Sequence, residues 1–380
     1  MVRDVVVVGN GPFGSAATKY LAAAGLDVVC VGARPTRTVE HAATVFSSHH
    51  DAARLVRYHS RHPGWVEASR RALDLFPEIE RESGVSFYEP VGCLMSAAPD
   101  GDGFDLTGVD HAFFDVGDRS WRARWPELAF PDTHWVAFEP APAGYVRPLD
   151  MVRAQNAIAV ARGAEIVDDT VVDVRRSNGA FEVRSRSGRV DRAATVLAAA
   201  GGFTNLHDLL PQPVDLELKT EVIVLGEVSD DDAGRLAGVP TVTYEVHDDA
   251  IDGIYMTPPA RYPDGRHYIK LGADTMFDTR FRPGEVDLAW MQSWFTTDTD
   301  PQYLPIFGHH LEALWPDVDF VSLHTRPCLI TYTDDGMPAI EQVDEGLFVA
   351  TGGNGTGAKS ADSWGHRAAT LLTDTRSSQV

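Results

Sequence analysis

Hydrophobic and polar positions occur in blocks along this chain, and the first blocks predict a strand, a helix and a second strand. Residues 4–8 contain the β-branched run Val5–Val8, which is typical of a strand buried on both faces. Small and apolar residues at 15–24 predict a helix, and Gly25 suits the position just beyond its end. Residues 27–31 predict the second strand. This order within about 30 residues indicates a βαβ unit.

A glycine motif, G-x-G-x-x-G, joins the first strand to the helix at Gly9, Gly11 and Gly14, with Pro12 and Phe13 between the last two. Glycines in this context permit a tight turn and let the backbone approach a pyrophosphate. The helix N-terminus offers free N–H groups and partial positive charge to the phosphates. The motif therefore predicts dinucleotide binding.

The end of the second strand departs from that pattern. An acidic residue usually stands there and binds a ribose hydroxyl, but this chain reads Val31-Gly32-Ala33-Arg34. Arg34 suits a phosphorylated ribose or stacking on an adenine. The motif alone therefore leaves both FAD and a nicotinamide cofactor open.

The later blocks indicate two kinds of sheet. Residues 97–144 are rich in Asp, Gly, Pro and Trp and are interpreted as an insertion. The other predicted elements are a helix at 149–162, strand-like segments from 165 to about 184, a buried strand entering a glycine turn at 195–202, strands of a different sheet at 216–228 and 268–272, a strand and glycine loop at 346–357, and a helix from about 360. Such interleaving favours a flavin-binding fold over a simple dehydrogenase.

The amino-acid composition narrows the class of protein further. The 380 residues are 44% hydrophobic, enough for two to three domain-sized units. The net charge of −22 disfavours nucleic acid as a partner. No apolar run reaches the roughly 20 residues of a membrane span, and the N-terminal run is too short for a signal peptide. Four histidines between residues 49 and 62 lack a cysteine or carboxylate ligand pattern, so no metal site is expected. We expect a cytoplasmic, monomeric enzyme without membrane contact.

A series of further motifs carries a family resemblance. In chain order they are Ser48-His49-His50 with Arg54 and Arg57, Arg124-Trp125-Pro126, Ala198–Gly202, Lys270-Leu271-Gly272, Arg326-Pro327-Cys328, and Gly352–Lys359. With the first glycine turn, they resemble the sarcosine oxidase and glycine oxidase branch of the D-amino-acid-oxidase-like FAD oxidoreductases, and especially the monomeric sarcosine oxidase group. The similarity covers essentially the whole chain.

The resemblance implies a mixed α/β (α+β) fold in two interleaved domains. A Rossmann-like FAD-binding domain would comprise residues 1–85, 145–215 and 325–380. An antiparallel-sheet substrate domain would comprise residues 86–144 and 216–324. The cofactor-binding residues implied are Gly9, Gly11, Pro12, Phe13, Gly14, Arg34, His49, His50, Gly201, Cys328, Gly353, Gly355, Gly357 and Lys359.

Two arginines and a lysine are candidates for binding a substrate carboxylate. Arg54 and Arg57 are three residues apart and would share a face of a helix, either as a solvated charged surface or as functional groups. The resemblance implies that Arg57 binds the carboxylate bidentately and that Lys359, otherwise a surface lysine, is the second cation. It also implies that His50 and Arg54 lie near the flavin ring.

Cys328, Lys270 and Asp274 complete the predicted site. From the residues alone, Cys328 is a small buried hydrophobe and Lys270 is an edge-strand charge or a buried functional cation. The resemblance implies that Cys328 forms a thioether to the flavin and that Lys270 promotes reaction with oxygen, while Cys30 and Cys93 are structural. Asp274 replaces a family histidine. It contacts a cationic or hydroxylated substituent or is a hydrogen-bonded structural residue.

Together these features predict an FAD-dependent oxidase of a secondary, N-substituted amino acid. A hydride would pass to the flavin, the imine would hydrolyse or rearrange, and oxygen would yield hydrogen peroxide. The alternative is a dehydrogenase of the same fold that passes electrons to another acceptor. A nicotinamide-dependent dehydrogenase and a nonenzymatic FAD-binding protein are disfavoured.

Overall fold

The structure, a computed structural model, describes residues 2–34, 51–100, 104–247 and 249–377. In chain order its strands are β1 (Arg3–Val8), β2 (Val28–Val31), β3 (Arg54–Val56), β4 (Tyr88–Glu89), β5 (Cys93–Ala97), β6 (Ala112–Phe114), β7 (Trp135–Glu139), β8 (Gly144–Val146), β9 (Glu165–Val167), β10 (Val171–Ser177), β11 (Ala180–Ser185), β12 (Val190–Ala198), β13 (Glu217–Val228), β14 (Thr241–His247), β15 (Ile251–Arg261), β16 (His267–Thr275), β17 (Arg280–Phe281), β18 (Ser322–Tyr332), β19 (Ala339–Asp344) and β20 (Leu347–Thr351). Its α-helices are α1 (Pro12–Ala23), α2 (Pro63–Ser83), α3 (Pro148–Ala161), α4 (Asp230–Leu236), α5 (Leu288–Phe295), α6 (Asp300–Leu314) and α7 (Gly357–Ser377).

The first sheet has a parallel centre. Strand β1 lies between β2 and β12, β9 extends the sheet beyond β2, and β20 pairs in parallel with β12. Antiparallel strands β10, β11 and β19 complete it. Val5 and Val7 pack into one apolar cluster, and Val6 and Val8 pack into another. Burial on both faces explains why the sequence of β1 is continuously apolar.

The second sheet is mostly antiparallel and follows the order β17-β13-β16-β15-β14-β5-β7-β6, with β18 also paired to β13. Strands β5 and β14 run parallel, in contrast to their neighbours. A small third sheet consists of β3, β8 and β4. The segment interpreted as an insertion thus supplies β6 and β7 to the second sheet.

The predicted interleaved α/β architecture is confirmed, because the first sheet collects strands from the beginning, middle and end of the chain. The residue boundaries of the two domains stay a prediction, and β18 runs across the boundary drawn at residue 325. Two helices begin earlier than predicted. Helix α1 begins at Pro12, whose fixed φ suits a first turn, and α7 already begins at Gly357.

A buried carboxylate joins the helices that cover one face of the first sheet. Asp362 of α7 accepts hydrogen bonds from Lys19 Nζ and Tyr20 Oη of α1, each at 2.6 Å. It also accepts one from Gln155 Nε2 of α3 at 3.0 Å.

None of the helices within the described ranges combines the length and apolar character needed to cross a membrane.

Candidate active site

A cavity lies at the carboxyl ends of β1, β12 and β20, the usual position for a ligand in a parallel sheet. Seven of the predicted cofactor-binding residues line it, namely Gly9, Gly11, Pro12, Phe13, Gly201, Gly353 and Gly357. Gly14 lies buried in the first turn of α1, and Gly355 lies in the loop before α7. The two glycine turns therefore meet at one cavity, as the sequence predicts.

The first turn of this cavity requires glycine. Gly9 has φ +106°, and a Cβ there would lie 2.3 Å from the carbonyl oxygen of Ala199. The turn thus passes directly against the end of β12. Gly11 is the N-cap of α1 and has no side-chain cap, so the first N–H groups of the helix remain available to an anion.

A group of buried charges surrounds Cys328, and we call it the lysine–cysteine cluster: Lys270, Asp51, Arg54 and Cys328. Lys270 Nζ donates to Asp51 Oδ2 at 2.8 Å and also to the carbonyl oxygen of Ala53. Arg54 Nε lies 3.1 Å from Asp51 Oδ2, and its Nη2 donates to Cys328 Sγ at 3.3 Å. The structure therefore brings three of the predicted residues together and adds Asp51.

Charge interactions decide the protonation of this cluster. Burial raises the pKa of Asp51, but the charges of Lys270 and Arg54 outweigh it and hold the pKa at about 2. Burial lowers the pKa of Lys270, while Asp51 opposes that change. Lys270 is fully buried in β16, between β13 and β15, so its interpretation as an edge-strand charge is wrong.

A second group, the cation pocket, consists of Arg57, Lys359, His59 and Glu139. Lys359 is only 2% exposed, and its Nζ donates to the carbonyl oxygen of His59 at 3.0 Å. Within the described part of the chain, Arg57 Nε is buried without a hydrogen-bond partner. Glu139 accepts from the backbone N–H groups of Tyr58 at 2.7 Å and His59 at 3.4 Å.

The pKa values in the cation pocket show that it concentrates positive charge. Burial and the neighbouring Arg57 charge lower the pKa of Lys359 well below its ordinary value. Burial and Arg57 also lower the pKa of His59 to about 4, so this imidazole is neutral at neutral pH. His59 Nδ1 lies 2.6 Å from the carbonyl oxygen of Asp105, which can only accept, so Nδ1 carries the proton. Burial raises the pKa of Glu139.

The segment that carries both arginines is a strand and not a helix. Arg54 begins β3, which pairs with β8, and Arg57 directly follows it. Side chains alternate along a strand, so an odd spacing sends Arg54 and Arg57 to opposite sides. The shared helical face considered for the two arginines is therefore wrong, and they serve different clusters.

The structure gives a different outcome for each of three further predictions, those for Asp274, Arg34 and the two histidines. Asp274, on β16, accepts a hydrogen bond from Lys219 Nζ, and its side chain is 61% exposed, which favours a structural role. Arg34 is exposed and ion-paired with Asp168, and its backbone N–H donates to Asp168 Oδ1 at 2.9 Å. His49 and His50 lie outside the described residues.

Comparison with known proteins identifies the family. A family model described as FAD dependent oxidoreductase (DAO) matches residues 4–371. The chain belongs to this family. The expected class of enzyme, an FAD-dependent oxidoreductase, is thereby confirmed, and the cavity between the glycine turns is the place where its residues can hold the cofactor.

Relatives of this FAD oxidoreductase include amino-acid oxidases. A monomeric sarcosine oxidase of Bacillus sp. (strain NS-129) is 24% identical over 268 residues, which are 68% of this chain and 66% of that protein. The chain thus spans just under two thirds of that relative's length. An N-methyl-L-tryptophan oxidase of Yersinia pestis is 27% identical over 220 residues, 56% of this chain and 57% of that protein.

A solved structure supports the same fold. The crystal structure of glycine oxidase from Bacillus cereus has a TM-score of 0.70 at 19% sequence identity, and the match covers 98% of this chain and 95% of that one.

The residues of the cavity fit FAD in this oxidoreductase. Only glycine fits the tight turn at Gly9, because a Cβ there would clash with the backbone of Ala199, and the uncapped start of α1 suits a pyrophosphate. Leu329 and Thr331 of β18 line the same cavity, so the strand that carries Cys328 borders it. The site residues thus come from both large sheets.

Sequence reasoning missed several residues of the site. Asp51 has a visible signal, because an acidic residue stands three positions before Arg54. Glu139 has none, since it is distant in sequence from Arg57 and Lys359 and meets them only in the folded chain. His59 stands two positions after Arg57, but from sequence it is considered only as a possible metal ligand. Asn10 and His207 also line the cavity, and both have buried polar atoms without a partner in the described structure.

Proposed function

We propose that this FAD oxidoreductase is an oxidase of a secondary, N-substituted amino acid, with an imine and hydrogen peroxide as its first products. The observation that carries the proposal is the cation pocket. Arg57 and Lys359 are two neighbouring cations, and neither forms a hydrogen bond or ion pair with a carboxylate in the described structure. The charge of Glu139 acts on both cations, but its carboxylate accepts hydrogen bonds from backbone N–H groups, so a bound substrate carboxylate would give both cations a direct partner.

The chain's own residues would bind and orient the substrate. Arg57 can hold a carboxylate through two parallel N–H donors, and Lys359 adds a point charge. A substrate held at this end presents its C–N bond in one orientation, which is the main contribution of the protein. The two-electron redox chemistry, from the carbon beside nitrogen to oxygen, would be supplied by FAD bound in the cavity between the glycine turns. The amine should bind unprotonated, so no protein base is needed.

Cys328 is proposed as the residue that attaches FAD covalently. Its thiol is 7% exposed and accepts a hydrogen bond from Arg54. This hydrogen bond holds the sulfur in place, and cysteine sulfur is a strong nucleophile that can form a thioether. Cys30 and Cys93 are buried and free, and burial raises the pKa of each, which supports purely structural roles.

A panel of possible substrates tests the proposal. The purified protein would be offered N-alkyl glycines, cyclic imino acids, primary amino acids and the matching amines without a carboxylate, with peroxide release as the readout. We expect turnover of secondary amino acids and at least hundredfold lower kcat/KM for the matching amines. Equal turnover of acids and simple amines would contradict the carboxylate assignment. Arg57→Lys keeps the charge but loses the bidentate geometry and should raise KM.

A specific observation favours a second candidate, an amino-acid dehydrogenase of the same fold. The ammonium of Lys270 is ion-paired with Asp51, which reduces the field that it can offer to an anion such as superoxide. Turnover with oxygen as sole acceptor would be compared with turnover with an artificial quinone. Much faster turnover with the quinone would favour the dehydrogenase.

We also propose that the protein acts as a cytoplasmic monomer. All three cysteines are free, which is typical of a reducing compartment. Light scattering on a size-exclusion column tests the monomer, and a dimer mass would contradict it.

A further inference from the structure

Asn10, between the first two glycines of the turn, is a buried polar side chain without a partner. The residue is 3% exposed, and neither its Oδ1 nor its Nδ2 has a hydrogen-bond partner in the described structure. A buried amide group without a hydrogen-bond partner destabilises the protein, because it has lost its hydrogen bonds to water. Asn10 also lines the cavity assigned to FAD. A ligand group that both donates and accepts hydrogen bonds would remove this cost.

The position of Gly32 in the fold indicates which part of a dinucleotide would lie beside Asn10. A Cβ on Gly32 would lie 2.2 Å from the backbone nitrogen of Asn10 and 2.8 Å from its Cβ. Gly32 occupies the end of the second strand, where an acidic residue usually binds the ribose hydroxyls of a dinucleotide. The backbone and Cβ of Asn10 occupy the space that a side chain at this position would need. The glycine turn itself therefore leaves no space for a carboxylate at position 32, and Asn10 is the polar side chain that lies beside this position.

We propose that Asn10 binds the ribose hydroxyls of the adenosine half of FAD, in place of the missing carboxylate. Its Oδ1 accepts from one hydroxyl and its Nδ2 donates to the other, whereas a carboxylate would accept from both. This role concerns cofactor binding alone, so it holds whichever amino acid the enzyme oxidises.

Other polar residues at this end of the cavity suit the role less well. Asp169 already accepts hydrogen bonds from the Thr170 and Ser187 backbones and from Ser187 Oγ. Arg34 is paired with Asp168 at an exposed position. His207 has an unpartnered Nε2, but a single ring nitrogen cannot bind both hydroxyls. Asn10 can satisfy both hydroxyls at once.

The test compares FAD with its 2′,3′-dideoxyadenosine analogue, which lacks both hydroxyls. A Cys328→Ser background keeps binding reversible in every arm, and Kd is read from quenching of flavin fluorescence on titration of the apoprotein. With Asn10 present, we expect the analogue to bind at least tenfold more weakly than FAD. In Asn10→Ala, FAD binding should weaken at least tenfold and the preference over the analogue should disappear.

Asn10→Asp is the matched variant, because a carboxylate of the same shape also binds ribose hydroxyls and should retain the preference for FAD. The proposal is overturned if the protein with Asn10 binds both flavins equally. It is also overturned if Asn10→Ala keeps the preference, which would assign the ribose to another residue such as His207. If Asn10→Ala does not fold, Asn10→Leu takes its place, because it keeps the approximate size but removes both hydrogen-bonding atoms, and a preference retained there overturns the proposal as well. Substrate turnover is not part of this readout, so a wrong substrate class would leave the result unchanged.

Discussion

At the residue scale, the site separates two kinds of buried lysine. Lys270 has a carboxylate partner in Asp51, whereas Lys359 hydrogen-bonds a carbonyl oxygen beside another cation. The first arrangement neutralises the ammonium within the protein, and the second leaves positive charge for a ligand. These different surroundings fit the proposal that Lys270 acts on oxygen and Lys359 binds the substrate.

Lys270→Met should slow reoxidation of the reduced enzyme by oxygen. A cation at about 4 Å in an effective dielectric near 20 stabilises superoxide by roughly 4 kcal/mol, which is about a thousandfold in rate. The Asp51 charge makes this an upper limit. Stopped-flow measurement of both half-reactions checks it, because anaerobic reduction by substrate should change much less. Asp51→Asn is the companion variant, and at a pH where Lys270 keeps its proton the loss of the opposing carboxylate should speed reoxidation. Near-unchanged reoxidation in both variants would place oxygen elsewhere.

The cation pocket predicts a pH dependence of substrate binding. The pKa of Lys359 is well below its ordinary value in the free protein because of burial and Arg57. A bound carboxylate would raise that pKa, so binding takes up a proton. Affinity should be highest below the pKa of free Lys359 and fall as pH rises through it. The Kd of an unreactive carboxylate, measured by flavin absorbance over about pH 6 to 10, checks this. Lys359→Met should bind weakly at every pH, and a retained slope would refute the assignment.

Cys328→Ser should abolish covalent attachment of FAD. In the unsubstituted protein, acid precipitation should leave the yellow colour in the pellet, and the intact mass should include the flavin. The variant should release colour to the supernatant, because the serine hydroxyl is a far weaker nucleophile than the cysteine sulfur that it replaces. Cys93→Ser, at the other buried cysteine of the second sheet, is the control and should keep the bond. A colourless pellet from the unsubstituted protein would disprove attachment.

At the element scale, the helices that position the site depend on Asp362. This carboxylate is fully buried and accepts hydrogen bonds from Lys19, Tyr20 and Gln155. Helix α7, which carries it, also carries Lys359. Packing of α7 on α1 therefore sets the position of one wall of the cation pocket.

Asp362→Ala should lower the free energy of unfolding by about 3–5 kcal/mol, because it leaves Lys19 buried without its partner. Urea unfolding followed by circular dichroism measures the change. Glu78→Ala removes an exposed i,i+3 ion pair with Arg81 and should cost less than about 1 kcal/mol. If the two variants lost the same free energy of unfolding, the buried Asp362 network would contribute no more stability than an exposed ion pair.

The elements around the first sheet could largely be predicted from sequence, because β1 is buried on both faces and a glycine turn marks its end. The strand β3 could not, since a segment of three residues has too little periodicity to distinguish strand from helix. Asp51 is far along the chain from its partner Lys270. Arg57 is likewise far along the chain from Lys359. No local pattern predicts such contacts without a known relative, and even a resemblance did not indicate Asp51.

At the scale of the whole molecule, net charge opposes compactness. The chain carries 33 basic and 55 acidic residues, a net of −22. Self-repulsion of this kind destabilises the folded state at low ionic strength. Raising NaCl from about 10 to 150 mM shortens the screening length from about 30 to 8 Å, and we expect the Tm to rise by about 2–4 °C. Differential scanning calorimetry checks this, with equal-osmolality sucrose as a control. A falling Tm would mean that attraction between exposed ion pairs outweighs the repulsion.

The order of strands in the first sheet has a consequence for synthesis on the ribosome. The unit β1–α1 is translated long before α7, yet Ala17 and Leu21 of α1 pack in the same cluster as Ala368 and Leu372 of α7. Strand β20, which pairs with β12 in the same sheet, is also translated long after β1. The nascent chain therefore exposes an apolar face of α1 until α7 has been translated, and such a face favours binding of chaperones. The cofactor cavity is complete only when both glycine turns have left the ribosome.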